Sequence, residues 1–283
     1  MPGTPSLYIY AEPRCPAIDF EEIAAYARST LNGMDVILRG PLLETSIDGN
    51  GPAADPVSPQ WVARAMAQAK VRQFDAPSKN CESVLDGEVN YELRRLDNRE
   101  SAVFGILYDG GKVARLMSEM MPPGESTIDQ LHVVFTNQLI GTWDEGDLRY
   151  HSRTALLGAP SIISVSGLVE APARARGYYM ARGNAAAFGF SEEKKIELAS
   201  SFAEDCLSHN DVRLTEVAKG YVMQAVAYRI SGVPFCDDED CCLYNAHWQK
   251  ELLRAQLGGW EFCDRHQELF EKCSPTGGAV FWT

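Results

Sequence analysis

A chain of 283 residues with 45% hydrophobic and 23% charged content has an ordinary globular composition and enough apolar material for a sizeable core. Its 26 basic against 39 acidic side chains leave a net charge of −13. That balance argues against nucleic acid or an anionic membrane surface as a main partner, since both are bound largely through Lys and Arg.

The first ten residues lack the basic-then-apolar pattern of an export signal, and no apolar run is long enough to span a bilayer. A cytoplasmic protein with reduced thiols is expected, so its eight cysteines call for metal or burial before disulfides. Leu7–Tyr10 and Met34–Arg39 read as strands. Between them Phe20, Ile23, Ala24 and Ala27 recur at helical spacing behind Asp19, a suitable N-cap. This predicts an opening β-α-β unit. Residues 43–58 are rich in Gly, Pro, Ser and Asp and read as a loop. A helix capped by Ser58 follows, from about Pro59 to Val71. Nucleotide-binding glycine motifs and internal repeats are absent from the sequence.

Leu131–Thr136 and Ser161–Val169 have the β-branched and aromatic content of strands, with the polar stretch Gly141–Arg153 between them. Helices are expected behind Ser191, with Ile196, Ala199, Phe202, Ala203 and Cys206 on the apolar face, and over Leu214–Ile230 and Asn245–Leu257. The last stops at Gly258-Gly259. Together these predict an α/β (α+β) fold with a mixed sheet, backing helices and a C-terminal segment, 236–273, pinned by metal. The whole of 1–283 reads as one domain, with 1–125 as its N-terminal part.

Five of the eight cysteines fall between Cys236 and Cys273. Cys236 and Cys241 are separated by four residues, Cys263 and His266 by two, with 21 residues between the pairs. Short spacings let a turn present two ligands, and the longer excursion lets a second turn complete a tetrahedron. Four protein ligands leave no open position, so the site is read as one structural Zn²⁺ ion held by Cys236, Cys241, Cys263 and His266. Buried core cysteines are the competing reading. Cys242 competes with Cys241, and the run Asp237–Asp240 offers oxygen ligands to a hard cation.

The sequence from Cys236 resembles the archaemetzincin branch of zinc peptidases. That family's pattern is HExxHxxGxxHC, then four residues, CxM, and a closing CxxC. Cys236 matches the cysteine ending the first block, and Cys241-Cys242-Leu243 stands at CxM. Cys263 and His266 stand at the closing pair, and Gly232 at the glycine that ends the active-site helix. An archaeal family related to archaemetzincins and labelled as metallopeptidases shares this arrangement.

The resemblance implies a metzincin-like fold over about 130–270 and makes Ser161–Val169 the edge strand that holds peptide substrates. It also implies that the three catalytic zinc ligands have become Ala225, Arg229 and Phe235, and the general-base Glu has become Val226. Ala, Val and Phe have no donor atom, and Arg is a permanent cation. The function expected is therefore a zinc-binding protein of metallopeptidase descent, without metzincin-type hydrolysis, that binds a peptide or protein in the former substrate groove. On this reading Ala225, Val226, Arg229 and Phe235 share the floor of that groove.

The alternative expectation is a hydrolase rebuilt around His132, His151 and Glu170. Arg149, Arg153, Arg174 and Arg176, interleaved with Tyr150, Tyr178 and Tyr179, form a basic and aromatic region suited to an anionic ligand. Cys206 and Trp248 are expected in the core.

Overall fold

A computed structural model describes residues 5–49, 57–77, 83–98, 105–127, 129–191, 193–194, 197–198, 201–259 and 261–271. The chain opens as expected. Strand β1 (Ser6–Tyr10), helix α1 (Phe20–Thr30) and strand β2 (Asp35–Arg39) make a β-α-β unit in which the strands pair in parallel. Asp19 caps α1, its carboxylate accepting the Glu22 N–H at 2.9 Å, a bond worth about 1 kcal/mol to a helix. Ile23, Ala24 and Ala27 turn inward.

The expected loop at 43–58 is in part a helix, α2 (Leu42–Ile47), because Leu42, Leu43 and Ser46 bury one face that outweighs the local polar composition. Residues 50–56 of that stretch lie outside the described residues. Helices α3 (Pro59–Ala69), α4 (Asp86–Asp97) and α5 (Gly110–Glu119) and the short strand β3 (Leu107–Asp109) follow. Strand β4 (Gln130–Thr136) lies where it was predicted. The polar stretch beyond it folds as an antiparallel hairpin of β5 (Leu139–Asp144) and β6 (Arg149–Arg153). Then come β7 (Ala155–Leu156) and β8 (Ser161–Ser164). The sheets are ordered β2-β1-β4-β8-β7 and β3-β5-β6.

The expected long edge strand is corrected twice. Only Ser161–Ser164 is extended, and it pairs with β4 on one side and β7 on the other, so it is interior and its backbone is taken. Val165–Glu170 is a helix, α6, started by Ser164, whose hydroxyl accepts the Gly167 N–H at 2.8 Å. Glycine is required there: a Cβ on Gly167 would stand 2.2 Å from the Arg153 carbonyl oxygen.

Helices α7 (Arg176–Ala187), α8 (Leu214–Ser231), α9 (Gln249–Leu257) and α10 (Asp264–Glu271) complete the described elements. Of the helix expected behind Ser191, Ile196 and Ala199 lie outside the described residues, and Phe202 and Ala203 lie in turns, not in a helix, Ala203 exposed and Cys206 buried. Trp248 is half exposed and precedes α9, so its expected core position is not met. Among the described residues no helix is long and apolar enough to cross a membrane.

Alternate residues of the strands feed two cores. Leu7, Ile9, Val133, Phe135 and Ile163 face α1, α8 and the C-terminal segment. Tyr8, Tyr10, Val134 and Ile162 face α3, α5 and the second sheet.

His132 belongs to the second face. Its Nε2 lies 3.0 Å from the Glu125 carbonyl oxygen, which can only accept, so Nε2 carries the proton. Nδ1 then accepts from the Tyr10 hydroxyl at 3.0 Å, and Tyr10 in turn accepts from Arg39, which also grips the Glu125 carboxylate at 2.7 Å. Burial lowers the pKa of His132. Below the ordinary histidine value of about 6.5 the unfolded chain binds the proton first, so this contribution to stability is lost as pH falls toward the lowered folded value. Urea unfolding at pH 7.5 and 5.5 should therefore show a smaller acid loss for His132→Gln than for the unaltered chain. Equal losses would contradict the neutral assignment.

Candidate functional site

Helix α8 runs through the protein interior, with Leu214 to Ala227 buried almost without interruption. It ends at Gly232, whose φ of 72° is the left-handed conformation that glycine tolerates best and whose N–H bonds the Tyr228 carbonyl at 2.8 Å. Four residues later Cys236 turns inward. It is fixed by a bridge to Tyr244, with the Cys236 N–H on the Leu243 carbonyl at 2.8 Å and the Asn245 N–H returning to the Cys236 carbonyl at 3.3 Å. The loop so closed carries Cys241. Cys263 stands immediately before α10 and His266 one turn into it, the His266 N–H bonding the Cys263 carbonyl at 2.8 Å, so both point to the same side.

The ligand atoms of Cys236, Cys241, Cys263 and His266 all lie within 4.8 Å of one another. Sγ of Cys236 is 3.7 Å from Sγ of Cys263. Nδ1 of His266 is 3.5 Å from Sγ of Cys241 and 3.1 Å from Sγ of Cys263. A tetrahedral zinc with Zn–S near 2.3 Å and Zn–N near 2.0 Å places its ligand atoms roughly 3.5–3.8 Å apart, so the four fit such an ion. Among the described residues this is the one such group that can hold a metal ion.

Polar hydrogens approach one of the sulfurs. The Asp238 N–H approaches Cys236 Sγ at 3.4 Å and the Arg265 guanidinium at 3.6 Å. A hydrogen bond from the Cys242 thiol holds Cys241 down at about 4, whereas burial pushes Cys236 up to about 11. Cys242 lies outside the group. It is fully buried in the core, and its carbonyl accepts Gln256 Nε2 at 2.6 Å. That glutamine lies across Gly220 of α8, where a Cβ would meet its Oε1 at 1.7 Å, so a larger residue there would displace the Gln256 side chain. In the acidic run, Glu239 and Asp240 pair with Arg254 at 2.5 and 2.7 Å on the surface.

Helix α9 begins four residues later than expected because the chain before it is engaged elsewhere. The Ala173 N–H bonds the His247 carbonyl, and the Gln249 N–H bonds the Ala173 carbonyl, both at 2.8 Å. Held at one end by Cys236 and Cys241 and at the other by Ala173, the segment Tyr244–His247 forms one wall of a cleft of about 240 Å³. Ser152–Ala155, which leads into the outer strand β7, and Tyr221 and Gln224 of α8 line it as well.

The four positions expected on its floor are not gathered there. Phe235 lines the cleft, but Ala225 and Val226 are wholly buried in the core, and the helical residues that face the cleft are Tyr221 and Gln224. Sequence reasoning missed Gln224, although a polar residue in an otherwise apolar run of α8 was its signal.

His132, His151 and Glu170 are not brought together. His132 is sealed in its hydrogen-bonded network, His151 faces Asp147 at 2.9 Å on the hairpin, and Glu170 faces His209 at 3.3 Å. The basic and aromatic region also divides. Tyr150 bonds Asp109 at 2.6 Å and Arg153 bonds Thr142 at 2.7 Å within the second sheet. Arg174 lies over the Tyr178 ring at 4.4 Å beside α7, where a separate hollow of about 810 Å³ opens.

Comparison with known families matches residues 4–273 to a model described as a probable metallopeptidase family (DUF6775). No curated protein and no solved structure matches. Since the match covers nearly the whole chain, the chain belongs to that probable metallopeptidase family.

Proposed function

We propose that this family member holds a single structural zinc and uses the adjoining cleft to bind an extended peptide or protein segment without cleaving it. The observation that carries the reading is the pairing of a complete Cys₃His cluster with an α8 that offers no donor at Ala225 or Val226. Metzincin hydrolysis needs a metal that acidifies water and a carboxylate that takes its proton. Arg229 and Phe235 supply neither.

Archaemetzincin descent is part of the proposal. It is supported by the order in which α8, the left-handed Gly232, Cys236 and Cys241 follow one another. A single domain over 1–283 and a reducing, cytoplasmic setting belong to the same reading, the latter because the metal needs its thiolates. Nucleic acid and membrane stay outside it on the −13 charge.

The metal's role follows from the hydrogen bonds. Cys236 and Cys241 carry the backbone of Tyr244 and Asn245, so the ion sets one wall of the cleft while giving no atom to the ligand. The test is a mixture of extended peptides passed over the immobilised, zinc-loaded chain. Retention of a subset that is recovered uncut is expected. Absence of retention, or recovery of fragments only in the metal-loaded state, would contradict the proposal.

A further inference from the structure

We infer that Gln224 makes the cleft a receptor for an uncharged carboxamide side chain, Gln or Asn, carried by the bound segment. The inference rests on the peptide-binding reading above and specifies what that cleft selects. Gln224 is 2% exposed, and its side-chain oxygen Oε1 is buried without a hydrogen-bond partner. A buried acceptor left unpaired is unfavourable, and most such groups in folded proteins have found a donor. The residue that carries it lines a cavity, from which a water or a ligand can bring a donor. The hydroxyl of neighbouring Tyr221 is already engaged with the Thr154 side chain.

The volume of about 240 Å³ exceeds a single water several-fold and admits one side chain. Its walls suit the methylenes of that side chain, because Ala155, Pro172, Tyr221 and Phe235 line them. Charge decides between the remaining classes. No carboxylate lines the cleft, so a lysine or arginine head group would be desolvated without a counter-ion. A carboxylate brings no donor and leaves the Gln224 oxygen unpaired. Arg153, the one lining residue with a permanent charge, gives its Nε–H to Thr142 and keeps its other N–H donors, so it repels a cationic head group and makes the Glu peptide the competitor that matters in the test below. A carboxamide carries donor and acceptor on one planar group, so it pairs with the Gln224 amide through both of its atoms.

The experiment uses end-blocked heptapeptides that are identical except for a central Gln, Glu, Lys, Leu or Ala. Each is titrated calorimetrically into the zinc-loaded full chain and into Gln224→Leu. The Gln peptide should bind about fivefold to tenfold more tightly than the others, the range one net hydrogen bond provides. In Gln224→Leu that preference should vanish while zinc content and melting temperature stay at their original values. Gln224→Asn, which withdraws the amide by one methylene and keeps its polarity, should weaken the preference, and it carries the test if the leucine variant does not fold.

Equal binding of all five peptides would overturn this inference and leave the peptide-binding reading standing, as would a preference for Glu or Lys. A Gln preference that survives Gln224→Leu also overturns it. If none of the five binds, the peptide-binding reading fails and this inference with it.

Discussion

Stripping the metal with a chelator, or replacing Cys263 with Ser, is expected to loosen the chain from Cys236 to Glu271 and lower its melting temperature. Structural zinc contributes on the order of 10 kcal/mol in small peptide sites, comparable with the entire net stability of about 5–15 kcal/mol of a typical domain. The local structure indicates what goes first. Helix α10 is joined to the rest by Cys263, His266 and a few apolar contacts such as Phe270 against Phe262, whose ring centroids are 4.7 Å apart. Without the ion, three neighbouring sulfurs and an imidazole have no shared cation, and the Cys236–Tyr244 bridge has no anchor.

Helix α9 should hold longer, because Leu252 is fully buried and Gln256 still bonds Cys242 across Gly220. Hydrogen exchange should thus accelerate over 236–248 and 263–271 before β1 and β4 open. Cys242→Ala separates the two adjacent cysteines, since it should leave the metal bound. Superimposed melts of chelated and untreated protein would contradict the assignment of the four ligands.

The second large effect is a missing activity. Digestion of a broad peptide library should show no cleavage that depends on added zinc or disappears with chelator. General acid–base catalysis is worth roughly 10²–10⁴ in rate, and water without a catalytic metal has a pKa of about 15.7 in place of about 7. Val226→Glu alone should restore nothing. Val226 is wholly buried, so the new carboxylate would enter an apolar core and still have no metal to serve. Chelator-sensitive cleavage lost on His151→Ala would contradict this account and favour the rebuilt-site hydrolase.

Local patterns made much of this legible in the sequence. Asp19 and the apolar spacing behind it announced α1, and β4 was plain in its β-branched and aromatic run. The paired spacings of Cys236, Cys241, Cys263 and His266 announced a group that the fold gathers, since ligands three to five residues apart are brought together by a turn. What stayed hidden depends on non-local packing. Ser161–Val169 has one composition, but the Ser164 hydroxyl stops the strand and Gly167 fits under the Arg153 carbonyl, a contact made only in the folded chain.

The hairpin of β5 and β6 was masked by polar residues that find partners across the sheets, such as Tyr150 with Asp109. Trp248 is exposed because its neighbours pair with Ala173, a residue 75 positions away in sequence. The cleft was placed one helical position off: spacing puts Ala225 near Phe235, but the side of α8 that faces the cleft carries Tyr221 and Gln224.

One structural metal and no catalytic one is the central claim, and counting tightly bound metal in the purified chain tests it directly. Elemental analysis with native mass spectrometry should find one zinc per chain, absent after Cys236→Ser or His266→Ala and unchanged after His132→Gln or His151→Ala. A chain that binds no zinc, or two with the second lost on changing His132 or His151, would contradict it.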